Sequence, residues 1–122
     1  MVGFLTRIKI TDNSGARIGS CIKVLGGTRH RVGTIGDVVI VAIKRAKPGK
    51  KIKKGDVKRA VIVRTKKRIL RRDGSFVRMC DTAAVLINEK MTTVGTRIMG
   101  PVLRELRNRN WLRVLTMASK VI

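Results

Sequence analysis

The sequence predicts a mainly β fold, a small five-stranded β-barrel with a projecting hairpin and two short C-terminal α-helices. Three observations lead to this prediction. Short segments rich in Val, Ile and Leu recur from Leu5 to Asn88, glycine-containing turns separate them, and the apolar residues change to helical spacing after Gly100. Many short strands at fairly even spacing favour a closed barrel, which also removes exposed sheet edges.

The first strand is predicted where Leu5, Ile8 and Ile10 alternate in part with polar residues, a pattern typical of a strand with one wet face. Four further strands are predicted over residues 21–25, 38–43, 58–65 and 83–88, each rich in Val, Ile or Leu. Turn signals separate the five strands at residues 12–15, 26–27, 36–37, 48–49, 55–56 and 73–74.

The last part of the chain predicts two helices that cap the barrel. Pro101 suits a first helical turn, Leu103 and Leu106 recur at helical spacing, and Glu105 is four residues from Arg109, with which it can pair. A second helix is predicted because Trp111, Leu112, Val114, Leu115 and Ala118 mark one apolar face. The chain is therefore a single domain over residues 1–122, with the barrel and hairpin at about 1–99 and the helical part at about 100–122.

The charge of this domain is extreme. There are 29 lysines and arginines against 7 acids, giving a formal net charge of +22, yet 43% of the residues are hydrophobic. That apolar content excludes a disordered basic tail. Because so many unbalanced cations repel one another, we expect a polyanionic partner whose phosphates supply the missing counter-charge.

The basic residues form three clusters. The first surrounds a turn between two predicted strands and therefore reads as a charged hairpin; its members are Lys44, Arg45, Lys47, Lys50, Lys51, Lys53 and Lys54. The second runs from a strand end to the next turn and contains Arg64, Lys66, Lys67, Arg68, Arg71 and Arg72. The third lies on the predicted helices, at Arg104, Arg107, Arg109 and Arg113. A single charged run usually solvates a surface, but three of one sign favour phosphate binding.

Few aromatic residues accompany these cations. Phe4, Phe76 and Trp111 are the whole aromatic content, whereas proteins that read single strands stack bases on several aromatic side chains. The spacing fits neither a zinc finger nor a basic leucine zipper. Two alternatives remain from the residues themselves, recognition of the backbone and shape of folded RNA, or nonspecific compaction of DNA.

Residues suited to catalysis or metal binding are sparse. Asp37 and Asp56 each follow a glycine, where a carboxylate commonly stabilises a turn, and His30 lies between two arginines. An RNA-processing enzyme would depend on these groups alone, so we predict no catalytic residue, no metal site and no cofactor. Cys21 and Cys80 form no metal-binding pair, and we interpret both as small buried apolar residues rather than as a disulfide.

Two segments bear on targeting. The longest uncharged apolar run, residues 38–43, is far shorter than a membrane-spanning helix. The N-terminal residues pass at once into strand-like alternation, so we expect no signal or transit peptide among them, either because the protein is made where it works or because processing came earlier.

Several strings in the sequence are characteristic of one family. They are DNSGAR at residues 12–17, CIKVLGG at 21–27, IGD at 35–37, KKGDV at 53–57, AVIVRTKK at 60–67, DGS at 73–75 and GTRIMGPVLREL at 95–106. Together they resemble the universal large-subunit ribosomal protein fourteen family of bacterial and organellar type. The resemblance covers essentially the entire chain, in order and without large gaps.

The resemblance implies a structural constituent of the large ribosomal subunit, bound to large-subunit rRNA at the subunit interface. Implied partners are a ribosomal protein of family nineteen, small-subunit rRNA in intersubunit bridges and a ribosome silencing factor, which we expect at Thr96, Arg97, Ile98 and Arg113. The residues expected to bind rRNA are the first two basic clusters together with Arg17, Lys23, Arg29, His30 and Arg31.

The chain departs from the usual family pattern at three positions. Arg72 stands where a proline is usual, Met79 where an aromatic residue is usual, and Ser119 where a proline often follows Ala118. These departures and the heavy charge favour an organellar ribosome, especially a mitochondrial one, over a bacterial one.

Overall fold

The protein is described from a computed structural model, which covers residues 2–27, 29 and 31–122. The strands are β1 (Arg7–Ile10), β2 (Ala16–Val24), β3 (Val38–Ala46), β4 (Val57–Arg64), β5 (Ile69–Leu70), β6 (Phe76–Val77), β7 (Ala83–Ile87), β8 (Ile98–Val102) and β9 (Ala118–Val121). A 3₁₀ helix spans Arg104–Arg109 and helix α1 spans Leu112–Met117. Among the described residues, no helix has the length and apolarity needed to cross a membrane.

Five strands form a closed barrel in the order β1, β2, β3, β4, β7. Neighbours pair antiparallel, except that β1 and β7 close the barrel in parallel, with Lys9 opposite Ala83 and Ile10 opposite Ala84. Register shifts along β2 mark irregularities that bend this long strand around the barrel. The mainly β class and the five-stranded barrel predicted from the sequence are thus confirmed, and each of the five predicted strands contributes one wall.

The core is aliphatic. Ile8, Val41, Ile62 and Leu86 have no measurable solvent exposure and come from four different barrel strands. All five residues of β7 are buried, so both faces of this strand are covered, because successive side chains of a strand point to opposite sides. Leu103, Leu106 and Val114 of the C-terminal part join the same core cluster. The helical segments therefore pack on the barrel, as predicted.

The C-terminal part differs from the sequence prediction in its local structure. Pro101 lies in β8, where it pairs with Lys120 of β9, and not in a first helical turn. The first helix is a 3₁₀ helix that begins at Arg104. The reason lies in Arg64, whose guanidinium donates hydrogen bonds to the carbonyls of Met99 and Pro101 and so keeps this segment extended.

Three side-chain predictions are wrong, two of them in this part of the chain and one at Cys80. Glu105 pairs with Arg71, with Nε to Oε1 at 2.8 Å, and not with Arg109. A 3₁₀ helix has three residues per turn, so residues four apart do not lie above one another. Leu112 is 56% exposed at the start of α1, and Cys80 is exposed in the irregular segment before β7. The other cysteine, Cys21, is buried as predicted.

Two contacts hold the helical part to the barrel at the start of β3. The indole N–H of Trp111 donates to the carbonyl of Gly36 at 2.8 Å. Arg109 lies 3.2 Å from the buried carboxylate of Asp37. A side chain at Gly36 would collide with Arg109, whose Cγ is 2.6 Å from the position of a Cβ there. These contacts fix the position of the helices relative to the barrel.

Candidate nucleic-acid interface

A cationic groove runs along the outside of β1 and the first half of β2. Its volume is about 950 Å³, and its basic lining residues are Arg7, Lys9, Arg17, Arg45, Lys47, Lys50 and Lys66. The acids among its described lining residues are Asp12 and Asp81. Asp12 is buried, and Asp81 is engaged by Arg64 and Lys9 at 3.0 and 3.9 Å. The accessible charge of the groove is therefore strongly positive.

The β3–β4 loop forms one wall of this groove and projects beyond it. Lys44, Arg45, Lys47, Lys50, Lys51, Lys53 and Lys54 are all exposed, as the predicted charged hairpin requires. The loop is anchored at three points: Ile52 is buried in the core, the Lys47 N–H donates to the Gly15 carbonyl at 2.7 Å, and Asp56 accepts from the Lys53 N–H at 3.0 Å. These three contacts fix the loop that carries the cations.

The DNSGAR segment, residues 12–17, lines the groove and connects it to the barrel. The buried Asp12 carboxylate accepts hydrogen bonds from the Leu86 N–H at 3.1 Å and from the backbone and hydroxyl of Ser14. Gly15 has a positive φ of 110°, and a Cβ there would lie 2.3 Å from Cβ of Lys50. A side chain at this position would push the lysine loop away from β2, so the glycine sets the groove width.

Burial raises the pKa of the Asp12 carboxyl above its ordinary value, against the opposing effect of the hydrogen bonds from Ser14 and Leu86. Burial likewise raises the pKa of the Cys21 thiol, which keeps it protonated and unreactive. At the tip of the next hairpin, hydrogen bonds from Ser75 lower the pKa of the exposed Asp73 carboxyl. Asp12 and Asp73 thus stabilise turns, and Cys21 lies in the core.

One predicted rRNA-binding residue, Arg64, has a structural position instead. It is only 5% exposed, its Nη2 donates to Asp81 at 3.2 Å, and its Nε lies 3.0 Å from the other carboxylate oxygen. That Nε contact is an ion pair without hydrogen-bond alignment. The sequence could not separate Arg64 from its exposed neighbours, because it stands at the end of a charged run.

The rest of the second cluster lies on the surface around β5 and β6. Lys66, Lys67, Arg68 and Arg72 are exposed, and Lys66 reaches the groove. Arg71 is partly buried and is held by Glu105 and by the Ile122 carbonyl. The cluster therefore contains one arginine buried in the fold, one held by Glu105, and four exposed cations.

The remaining predicted cations have different positions. Arg17 lines the groove, whereas Lys23, Arg29 and Arg31 are exposed outside it. His30 lies outside the described residues. Arg7 and Lys9 line the groove on β1 but were not among the predicted binding residues. The sequence contains a pattern that indicates their position. Arg7 and Lys9 alternate with the buried Ile8 and Ile10, which places both cations on the outer face of one strand.

Three of the four residues at which we expect a silencing factor lie on the surface. Thr96, Arg97 and Arg113 are exposed. Ile98 is only 4% exposed, because in β8 it pairs with Ala118 and packs into the core, so its side chain does not belong to this surface. The third basic cluster, Arg104, Arg107, Arg109 and Arg113, is exposed along the helical part.

The described residues contain no group of three or more His, Cys, Asp or Glu side chains placed to hold a metal ion. One comparison with known proteins bears on the identity of the chain. A family model described as Ribosomal protein L14p/L23e matches residues 1–122, the full length of the sequence.

Proposed function

Because the chain belongs to the ribosomal protein L14p/L23e family and is thus a structural protein of the large ribosomal subunit, we propose that its cationic groove and β3–β4 loop bind large-subunit rRNA at the subunit interface. The observation that carries this proposal is the groove itself, a depression of about 950 Å³ with seven basic lining residues, whose acids are buried or ion-paired. Phosphate neutralisation by such cations supplies most of the sequence-independent affinity for nucleic acid.

In this proposal, the protein recognises the phosphate backbone and the shape of folded RNA. Lysines and arginines on an anchored loop can approach phosphates from several directions, whereas the paucity of aromatic side chains gives little capacity to read many bases. The barrel holds the groove and the β3–β4 loop in fixed positions relative to each other, since β2 and β3 pair along most of their length.

Further contacts belong to the same proposal. The exposed residues Thr96, Arg97 and Arg113 form a surface for a ribosome silencing factor, a ribosomal protein of family nineteen is a neighbour, and small-subunit rRNA is reached through intersubunit bridges. The proposed role requires no catalytic step, and the carboxylates of Asp37 and Asp56 both accept turn hydrogen bonds, from the Thr34 and Lys53 N–H groups. We place the subunit in an organelle, with the mitochondrial matrix preferred to the bacterial cytoplasm.

Sedimentation tests this proposal directly. Tagged protein from a lysate is run on a gradient, and the rRNA in its fractions is sequenced before and after a high-salt wash. Retention in the large-subunit peak is expected, and the rRNA sequence identifies the compartment. Release of the protein into light fractions, or recovery with duplex DNA in place of rRNA, would refute rRNA binding and favour the DNA-compacting alternative.

A further inference from the structure

An apolar pair is exposed on the small ribbon formed by β5 and β6. Leu70 is 78% exposed and Phe76 is 53% exposed, and the two residues lie directly opposite each other across the ribbon. Their neighbours in register, Ile69 and Val77, pack against the core. The ribbon therefore has one face on the barrel and one apolar face turned to solvent.

Cations surround this outward face. The guanidinium of Arg68 lies over the Phe76 ring, with its central carbon 4.6 Å from the ring centroid. Arg78 directly follows β6 and is exposed. An aromatic ring with an arginine over it differs from an ordinary exposed apolar patch, because the nearby positive charge attracts anions and repels other cations.

The ribbon is held in a fixed position. At its turn Arg71 is fixed by Glu105 at 2.8 Å, and Asp73 accepts hydrogen bonds from the backbone and hydroxyl of Ser75 at 3.0 and 2.6 Å. A rigid aromatic surface loses little entropy when a ligand stacks on it. The Phe76 ring is thus arranged before any ligand arrives.

The ribbon is close to the cationic groove along the chain. Lys66 lines the groove and is two residues before Arg68, while Asp81 lines it three residues after Arg78. Both ends of the ribbon segment are therefore connected to residues that line the groove.

We propose that Phe76, with the Arg68 guanidinium beside it, is a stacking platform for one unpaired base of the bound RNA. This inference rests on the proposed rRNA binding. The base stacks on the exposed ring surface, Leu70 contacts its edge, and the flanking phosphates lie against Lys66, Arg72 and Arg78. A bulged or looped-out nucleotide has the required chemistry, since its ring faces are free and its phosphates are anionic. A second copy of this chain is disfavoured, because it carries the same net charge of +22 and the same arginines.

The test uses the purified full chain and two RNA hairpins with equal numbers of phosphates, one fully paired and one with a single bulged 2-aminopurine. The variant Phe76→Ala is expected to weaken binding of the bulged hairpin by about 5-fold to 100-fold and to leave the paired hairpin within about 2-fold. Phe76→Trp is expected to retain the preference. Val57→Ala, which shortens a 59% exposed apolar residue elsewhere, serves as the matched control and is expected to leave both affinities unchanged.

The 2-aminopurine fluorescence is expected to change on binding of the wild-type protein and not of Phe76→Ala. Equal affinities of wild type and Phe76→Ala for both hairpins, with a normal salt dependence, would overturn the platform and leave rRNA binding intact. Failure of the wild type to bind either hairpin in a salt-dependent manner would instead overturn the proposed function and this inference with it. Dimerisation abolished by Phe76→Ala would identify a second copy as the occupant and also overturn the platform.

A second measurement does not depend on a variant. Large subunits that contain the protein are irradiated with ultraviolet light and digested with trypsin, which releases residues 73–78 as one peptide because Arg72 and Arg78 flank it. A nucleotide adduct on Phe76 in this peptide is expected. Adducts confined to peptides from the groove or the β3–β4 loop would contradict the platform while supporting rRNA binding.

Discussion

Asn13 and Thr96 are joined by two hydrogen bonds across the gap between the β1–β2 turn and the segment before β8. The Thr96 N–H donates to Oδ1 of Asn13 at 2.8 Å, and Nδ2 of Asn13 donates to the Thr96 hydroxyl at 2.9 Å. The Arg97 N–H donates to the same Oδ1 at 3.3 Å. Gly95 permits this approach, because a Cβ there would lie 2.6 Å from Oδ1. One turn residue therefore orients the surface proposed for a silencing factor.

Replacing Asn13 with alanine is expected to release the segment that carries Thr96 and Arg97. The loss in unfolding free energy should be about 1 kcal/mol, because the bonds are solvent-exposed, while amide hydrogen exchange at Thr96 should accelerate. Exchange measured by NMR and urea unfolding check both effects. Asn108→Ala, at an exposed position of the 3₁₀ helix, is the control and should change neither. Unaltered exchange at Thr96 in Asn13→Ala would show that other contacts hold the segment.

Arg64 is expected to stabilise the fold more than it contributes to RNA affinity. The substitution Arg64→Met leaves the carbonyls of Met99 and Pro101 and the Asp81 carboxylate without their main donor, which should cost about 3 kcal/mol of unfolding free energy. Chemical denaturation measures the loss.

Arg59→Met provides the matched control, because Arg59 lies exposed on the same strand. It should lower stability by less than about 0.5 kcal/mol. Arg64→Lys should also be destabilising, since an ammonium lacks the planar fork that serves several acceptors together. Equal stabilities of Arg64→Met and Arg59→Met would contradict the structural role.

Neutralising the tip of the β3–β4 loop should weaken RNA binding and flatten its dependence on salt. With Lys50, Lys51, Lys53 and Lys54 replaced by glutamine, the negative slope of log affinity against log salt is expected to decrease in magnitude by up to about 3, because each lost phosphate contact removes about 0.7 to 0.9 of a released counterion. Filter binding to large-subunit rRNA fragments over a salt series measures the slope.

A charge-matched control places the same four changes on the helical part, at Arg104, Arg107, Arg113 and Lys120, all of which are exposed. It should retain the wild-type slope. If the two quadruple variants lost affinity equally, net charge rather than the position of the loop would govern binding.

The buried carboxyl of Asp12 should leave a signature in the pH dependence of stability. Its pKa is raised from 3.8 by burial, so the folded protein binds this proton more tightly than the unfolded chain does. The stabilisation from this group is therefore fully present below pH 3.8 and is lost as the pH rises through the raised pKa.

The difference in unfolding free energy between wild type and Asp12→Asn should accordingly decrease as the pH rises from about 3 to about 7. Urea unfolding of both proteins at each pH measures this difference. The contributions of the other carboxyl groups are the same in both proteins and therefore cancel. A difference that grows with pH would mean that the hydrogen bonds from Ser14 and Leu86 outweigh burial.

The barrel was predictable because its information is local. Each barrel strand contains a short run of β-branched residues between turn signals. The apolar pattern and the turn residues therefore identify the strand without knowledge of the strand it pairs with. The structure adds length to β2 and β3, because pairing with neighbours extends the strands into polar sequence that carries no apolar pattern.

The C-terminal part was less predictable because its conformation depends on distant groups. Nothing near Pro101 in the sequence indicates that Arg64, far along the chain, donates to the carbonyls on either side of Gly100. The two-residue strands β5 and β6 are too short to show a period, and β8 and β9 exist because they pair with each other.

By itself, the sequence determined the fold class, the net charge of +22 and the location of the lysine loop, since composition and short-range pattern carry these properties directly. Only the tertiary structure decided which cations are exposed and which are buried or paired. It buries Arg64 against Asp81, fixes Arg71 with Glu105, brings Arg7 and Lys9 into one groove with Lys50, and leaves Phe76 exposed beneath Arg68. Side chains of identical charge differ in role because burial and ion pairing depend on residues remote in sequence, and closure of the barrel is what brings those residues together.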